Sequence, residues 1–262
     1  MEYIKQEILG QSRHLFVYGY NYENREKLLE SLEDDFPIKI NENYPIALYL
    51  KDYALPNINQ INRNLENDKA KILCKNFFEF SLSENIIKKV LEIQELGNLN
   101  IQIDKMLDRI NRCFLNNQKT KISDLQELRE TLIQSKNFYY NYYVSFLNGE
   151  SNLPDIKDLQ MQFIDIMALI NFVKTMLNNN SYFGIIIDYQ MEMPLVLQQT
   201  INSYITKRCN SDISMKVVCD IADWKTYYDL NGVLAESVHD YGIVELDNNY
   251  KDYTKILKKI ID

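Results

Sequence analysis

Residues 14–32 read HLFVY-GYNYENRE-KLLESL. The segment HLFVY is a short, mostly apolar run closed by Gly19, the pattern of a buried strand that ends in a turn. After the polar stretch 19–26, Leu28, Leu29 and Leu32 fall on one face of a helix. Pro37 lies just beyond, where it would stop that helix. The unit is therefore strand, polar turn, helix, and the rest of the chain is read by asking how often the unit returns.

YPIALYL (44–50) is a second strand candidate. Residues 51–70 are polar and irregular, and KILCKNFFEF (71–80) fits a strand or a helix. From about residue 81 the period becomes helical. Ser81 with Glu84 and Ser123 with Gln126 match capping boxes. Apolar residues recur at Ile86, Ile87, Val90 and Leu91, then at Ile103, Met106, Leu107 and Ile110, then at Leu125, Leu128 and Leu132. Pro154 opens a further helix to about Leu177, so residues 81–177 read as a block of three or four helices. After the polar stretch 178–181 the strands return: YFGIIID (182–188), ISMKVVC (213–219) and YGIVEL (241–246). A helix from Pro194 to about Arg208 separates the first two, residues 224–238 read as mixed helix and loop, and DYTKILKKIID closes the chain as an amphipathic helix. Nearly continuous apolar runs suit strands covered on both faces of a parallel sheet. The order predicts an α/β fold: a five-stranded parallel sheet flanked by helices, with a helical insertion between the second and third strands. The expected division is 1–80 for the first half of the α/β core, 81–180 for the insertion and 181–262 for the second half.

Composition excludes several classes. The 262 residues are 46% apolar, enough for a sizeable core, and only 7 are glycine, which leaves few tight turns for an all-β barrel or sandwich. Net charge is −8 and no basic run occurs, so no direct nucleic-acid or anionic-membrane binding is expected of the chain alone. No signal-peptide pattern or apolar run of 18 residues is present. Cys74, Cys113, Cys209 and Cys219 lack CxxC spacing, and His14 and His239 are far apart. The expectation is reduced, mostly buried thiols in a cytoplasmic protein, with no zinc site.

The first strand-turn-helix invites comparison with the phosphate-binding pattern GxxxxGK[ST]. There the turn's N–H groups and the helix N-terminus hold the anion, the lysine reaches the outer phosphates and the hydroxyl ligates Mg²⁺. Gly19 takes the first glycine position; Asn24 falls on the second, Arg25 on the lysine and Glu26 on the hydroxyl. The register and flanking apolar pattern fit, and three of the four signature residues do not. An ordinary polar turn in another α/β fold is the competing reading.

YFGIIID resembles a Walker B strand, whose terminal Asp, here Asp188, helps hold Mg²⁺. ISMKVVC, followed by Asp220, sits where a sensor-1 strand would lie. Together these features resemble a P-loop NTPase of the AAA+/STAND group, most like its origin-recognition ATPase-like branch, over roughly residues 12–50 and 180–250. The resemblance implies a P-loop-type parallel sheet, nucleotide contacts at Gly19, Asn24, Arg25, Glu26, Asp188 and Asp220, and a metal role for Asp188. It also implies losses. The catalytic Glu that usually follows the Walker B Asp is replaced by Tyr189, and the sequence to Asp262 leaves no room for a family-type lid. Glu26 puts a carboxylate where Mg²⁺ and phosphate would meet. A like-charge pair at about 4 Å and an effective dielectric near 20 costs roughly 4 kcal/mol, enough to cancel the attraction of Arg25. Glu23 adds further negative charge.

The expectation is a non-hydrolysing, pseudo-ATPase subunit with ATP/Mg²⁺ binding weak or lost and no assigned catalytic residue. It would bind another protein within a replication, plasmid-maintenance or defence assembly, a context drawn from the resemblance alone. Two rivals stand beside it: an atypical active hydrolase using Arg25 and Asp188, and an unrelated α/β protein with a structural or phage-type role. Glu192 reads as solvated surface rather than a displaced base, and His239-Asp240 as a turn hydrogen bond rather than a catalytic pair. The tyrosine-rich stretch FYYNYYVSF (138–146) spans more than one helical face, so it reads as core plus rim or, slightly preferred, as a partner-contact surface.

Overall fold

The five predicted strands form one sheet in which every neighbouring pair is parallel, in the order β2-β3-β4-β1-β5. They are β1 His14–Tyr18, β2 Ile46–Leu50, β3 Phe183–Asp188, β4 Ile213–Cys219 and β5 Tyr241–Glu245. The helices are α1 Glu2–Leu9, α2 Asn67–Glu95, α3 Ile103–Phe114, α4 Leu125–Leu147, α5 Ile166–Met176 and α6 Leu195–Ile205, with a shorter helical segment at 27–32. This computed structural model describes residues 2–19, 27–32, 45–55, 67–95, 103–114, 121–150, 155, 166–177, 181–189, 193–207, 212–219 and 223–246. The expected helices opening at Pro154 and closing the chain after residue 250 fall partly or wholly outside these residues.

Both faces of the sheet are covered, which is why its strands lack polar alternation. Phe16, Tyr18, Leu48, Ile185, Ile187, Met215 and Val217 share one core with helices α2 to α6. Leu15, Val17, Ala47, Ile186, Val218 and Val244 form a second core with Ile8 and Leu9 of α1 and Leu29 and Leu32 of the segment 27–32.

Helix α2 corrects two expectations. Residues 71–80 are helical, and Ser81 is no cap: it lies inside a 29-residue helix, donating through Oγ to the Asp52 carbonyl at 3.2 Å. Phe77, Phe78, Phe80, Leu82, Ile86 and Ile87 are all buried, so α2 is enclosed on several sides. A helix buried all round shows no apolar stripe, which made 71–80 ambiguous and placed the apparent change of period within the helix. The residue-81 division likewise falls inside α2. At α4 the cap is Asp124 rather than Ser123. Asp124 Oδ1 accepts from Glu127 N–H at 2.8 Å, and Glu127 Oε2 reaches back past the cap to accept from Ser123 N–H at 2.7 Å. The two bonds from Ser123, through its hydroxyl and its N–H, hold the Glu127 carboxyl below its ordinary value. Residues 224–238 contain no helix among those described; they form an irregular loop.

Candidate functional site at the carboxyl ends of the strands

The order of the strands creates a crevice. From β1 the chain enters the segment 27–32, whose Leu29 and Leu32 pack on the Val17 face. From β4 it enters a loop whose Trp224 and Ala235 pack on the Phe16 face. β1 and β4 are neighbours, so their outgoing connections diverge to opposite faces. In open parallel sheets the crevice beyond such a pair is where ligands bind.

Gly19 stands at this crevice, directly after β1, with φ of 86°. That backbone conformation is cheap only for glycine. Asn24, Arg25, Glu26 and Glu23 lie outside the described residues, as do Asp220 and Glu192. Lys27 is exposed at the start of the helical segment.

Asp188 ends β3 at the same end of the same sheet. Its Cα pairs with Val218 of β4, and Val218 pairs with Val17 of β1. Asp188 is thus level with Val17 and on the same face, the one that carries the segment 27–32. β3 is not the neighbour of β1: β4 intervenes, which sets β3 about 10 Å from β1. Strand order is fixed by tertiary pairing, and the strand sequences alone did not specify it. Tyr53 Oη donates to the Asp188 carbonyl at 2.5 Å and fixes this tip against the residues after β2.

The next residue, Tyr189, continues the ladder through its N–H to the Val218 carbonyl at 2.8 Å, while its side chain is buried with its ring 6.3 Å from that of Trp224. Trp224 in turn packs edge-on to Phe16 at 5.1 Å, and Phe16 meets Tyr227 at 5.5 Å and Tyr241 at 4.9 Å. Tyr18 and Tyr227 share a hydroxyl hydrogen bond of 3.1 Å. Burial, and then that bond, push the Tyr18 phenol far above its ordinary value, so it stays neutral. These rings form an aromatic wall within the core on the Phe16 face of β1, from Tyr189 at the end of β3 to Tyr241 at the start of β5. Sequence reading missed this wall, because its members come from β1, the end of β3 and the β4–β5 loop; the single tryptophan of the chain was the one available signal.

Helix α6 holds that loop in place. Gln198 Oε1 accepts from Lys225 N–H at 2.8 Å, and Asn202 Nδ2 donates to the Thr226 and Tyr228 carbonyls, both at 2.9 Å. Asp240 Oδ2 accepts from Glu236 N–H at 2.8 Å, the turn hydrogen bond expected of His239-Asp240. In the tyrosine-rich stretch, Tyr139 and Tyr143 are core, whereas Phe138 and Tyr140 are exposed on either side of them. Cys74 and Cys219 are buried and form no disulfide. Among the described residues no group of three or more His, Cys, Asp or Glu is arranged to hold a metal, and no helix is long and apolar enough to cross a membrane.

The profile of the ORC-CDC6-like family matches residues 24–262. The chain belongs to that family. Membership relates it to the AAA+ ATPases, and the five-stranded parallel sheet between helices is the P-loop-type core that the relationship calls for. The matched span takes in Asn24, Arg25, Glu26, Asp188 and Asp220, whereas β1 and Gly19 precede it. No curated protein and no solved structure gives a significant match to this ORC-CDC6-like chain.

Proposed function

We propose that this ORC-CDC6-like protein is a non-hydrolysing P-loop-type subunit that works by binding another protein within a larger replication, plasmid-maintenance or defence assembly. The observation that carries the reading is Tyr189. It holds the position after Asp188 where the resemblance calls for a catalytic carboxylate, and it is packed in the core against Trp224. A buried phenol with aromatic neighbours is no general base for water at neutral pH. The donor set supports the same reading. Asp188 is the residue to which the resemblance gives a metal role, but Glu26 replaces the hydroxyl that would share the metal, so the residues present do not fit a hydrolysing Mg²⁺-nucleotide centre.

The surface offered to a partner is the helical block, with Phe138, Tyr140 and Leu147 of α4 exposed. Exposed aromatic side chains on a rigid helix suit protein contact.

One observation favours the rival of an active, atypical hydrolase: Asp188 shares the sheet face of the segment that follows Arg25. Thermal melting with ATP and Mg²⁺ separates the two. A ligand at a hundred times its Kd adds about 2.7 kcal/mol to stability. A clear upward shift of Tm that disappears in Arg25→Ala, accompanied by turnover, would replace the proposed reading with the rival; no shift, or a shift without turnover, supports it.

A further inference from the structure

At the opposite, amino end of the sheet lies a buried lysine that the site above does not use. Lys216 of β4 is 0% exposed, and among the described residues no carboxylate pairs with it. Its Nζ donates to the carbonyls of Gln11 and, at 3.0 Å, Arg13, and sits 5.3 Å from the centre of the Tyr182 ring. Both carbonyls belong to the four residues that join α1 to β1. Ser214 Oγ donates to the same Arg13 carbonyl at 2.6 Å, and Tyr182 Oη donates to the carbonyl of Leu9, the last residue of α1. Three side chains from the sheet and its approach thus grip one short segment by its backbone. Ile8 and Leu9 lie on the Val17, Ile186 and Val218 face beside it.

We propose that α1 and residues 10–13 form a proton-linked strap, closed over an uncharged Lys216 and opened when Lys216 is charged and hydrated. An ammonium without a carboxylate loses its hydration on burial, and carbonyls and a ring face return only part of it. Burial first, and the Arg13 guanidinium second, lower Lys216 from its ordinary 10.5 to about 7. Opening restores the ordinary value. Between those two values the open form binds one more proton than the closed form, so the opening constant rises roughly tenfold for each pH unit of acidification and levels off below about 7. Among the described side chains, the other titratable or charged groups around the strap are Glu7, Arg13, His14, Tyr182 and Asp240. His14, held neutral down to about 4, titrates outside the window. Opening uncovers Val17, Ile186 and Val218, an apolar face contiguous with Asp188.

Hydrogen exchange of the whole chain, followed by mass spectrometry and corrected for intrinsic rates, tests this. In the wild type the α1 amides open more readily than those of β4, and their opening constant falls about tenfold from pH 8 to pH 9. Lys216→Gln, which keeps two N–H donors but does not titrate, and Lys216→Met lose the slope. The proposal is overturned if α1 and β4 exchange together, if the wild type shows no slope (a result that needs no variant), or if either variant keeps it.

Discussion

Tyr53 and Asp188, 135 positions apart, are joined by a 2.5 Å hydrogen bond from the Tyr53 hydroxyl to the Asp188 carbonyl. Tyr53 is almost fully buried and meets Phe78 of α2 edge-on at 6.3 Å. The bond ties the tip of β3 to a side chain that packs on α2. Tyr53→Phe keeps the ring and removes the donor, so it should cost about 1–2 kcal/mol, seen as a lower urea midpoint with an unchanged m-value. A midpoint indistinguishable from wild type would mean that the bond does not hold the tip.

Adjacent residues of α4 should behave in opposite ways. Tyr139 is buried and stacked on Phe80 at 5.6 Å, whereas Tyr140 is 39% exposed. Tyr139→Ala should cost about 3–5 kcal/mol and Tyr140→Ala less than about 0.5 kcal/mol, both by chemical denaturation. Similar costs at the two positions would place the helix in the wrong rotation.

This contrast shows how the tyrosine-rich stretch was legible only in part. Its overrun of one helical face was visible in the sequence, but which tyrosines face the core depends on where α2 packs. The strands were legible for the opposite reason. Each is a five- to seven-residue apolar run bounded by polar residues, and HLFVY and ISMKVVC match β1 and β4 to the residue. Strand order was not legible: β4 between β1 and β3 is a product of crossovers, and it sets the Asp188 strand two places from the Gly19 strand. At the site, Gly19 and Asp188 could be placed from local pattern, whereas Trp224, Tyr227 and Tyr241 meet Phe16 only through a loop that α6 positions.

Asn111 of α3 holds Ile122, three residues before α4. Its Nδ2 donates to the Ile122 carbonyl and its Oδ1 accepts from Ile122 N–H, both at 2.8 Å and both buried. Asn111→Ala leaves two buried backbone groups without partners and should lower stability by about 2–4 kcal/mol in urea denaturation. A loss below about 0.5 kcal/mol would show that water replaces the side chain freely.

His14 gives stability a dependence on acid. Burial first, and then the charge of Lys216, lower it to about 4, and its Nδ1 accepts from Met215 N–H at 2.9 Å. Between about 6.5 and 4 the unfolded chain takes up a proton that the folded chain refuses, so stability falls as pH falls. The share due to His14 should be roughly 2 kcal/mol between pH 7 and pH 5. His14→Asn, which offers an acceptor to Met215 N–H but does not titrate, should lose that share when urea midpoints are compared at the two pH values. An undiminished difference in the variant would assign the acid dependence elsewhere.

The central claim is that the ORC-CDC6-like scaffold is kept here while hydrolysis is lost. Phosphate release from ATP and Mg²⁺ with the protein in excess over nucleotide tests it most directly. The account predicts release no faster than in buffer, unchanged by Asp188→Asn. Release above buffer that Asp188→Asn abolishes would contradict it and make the crevice a working active site.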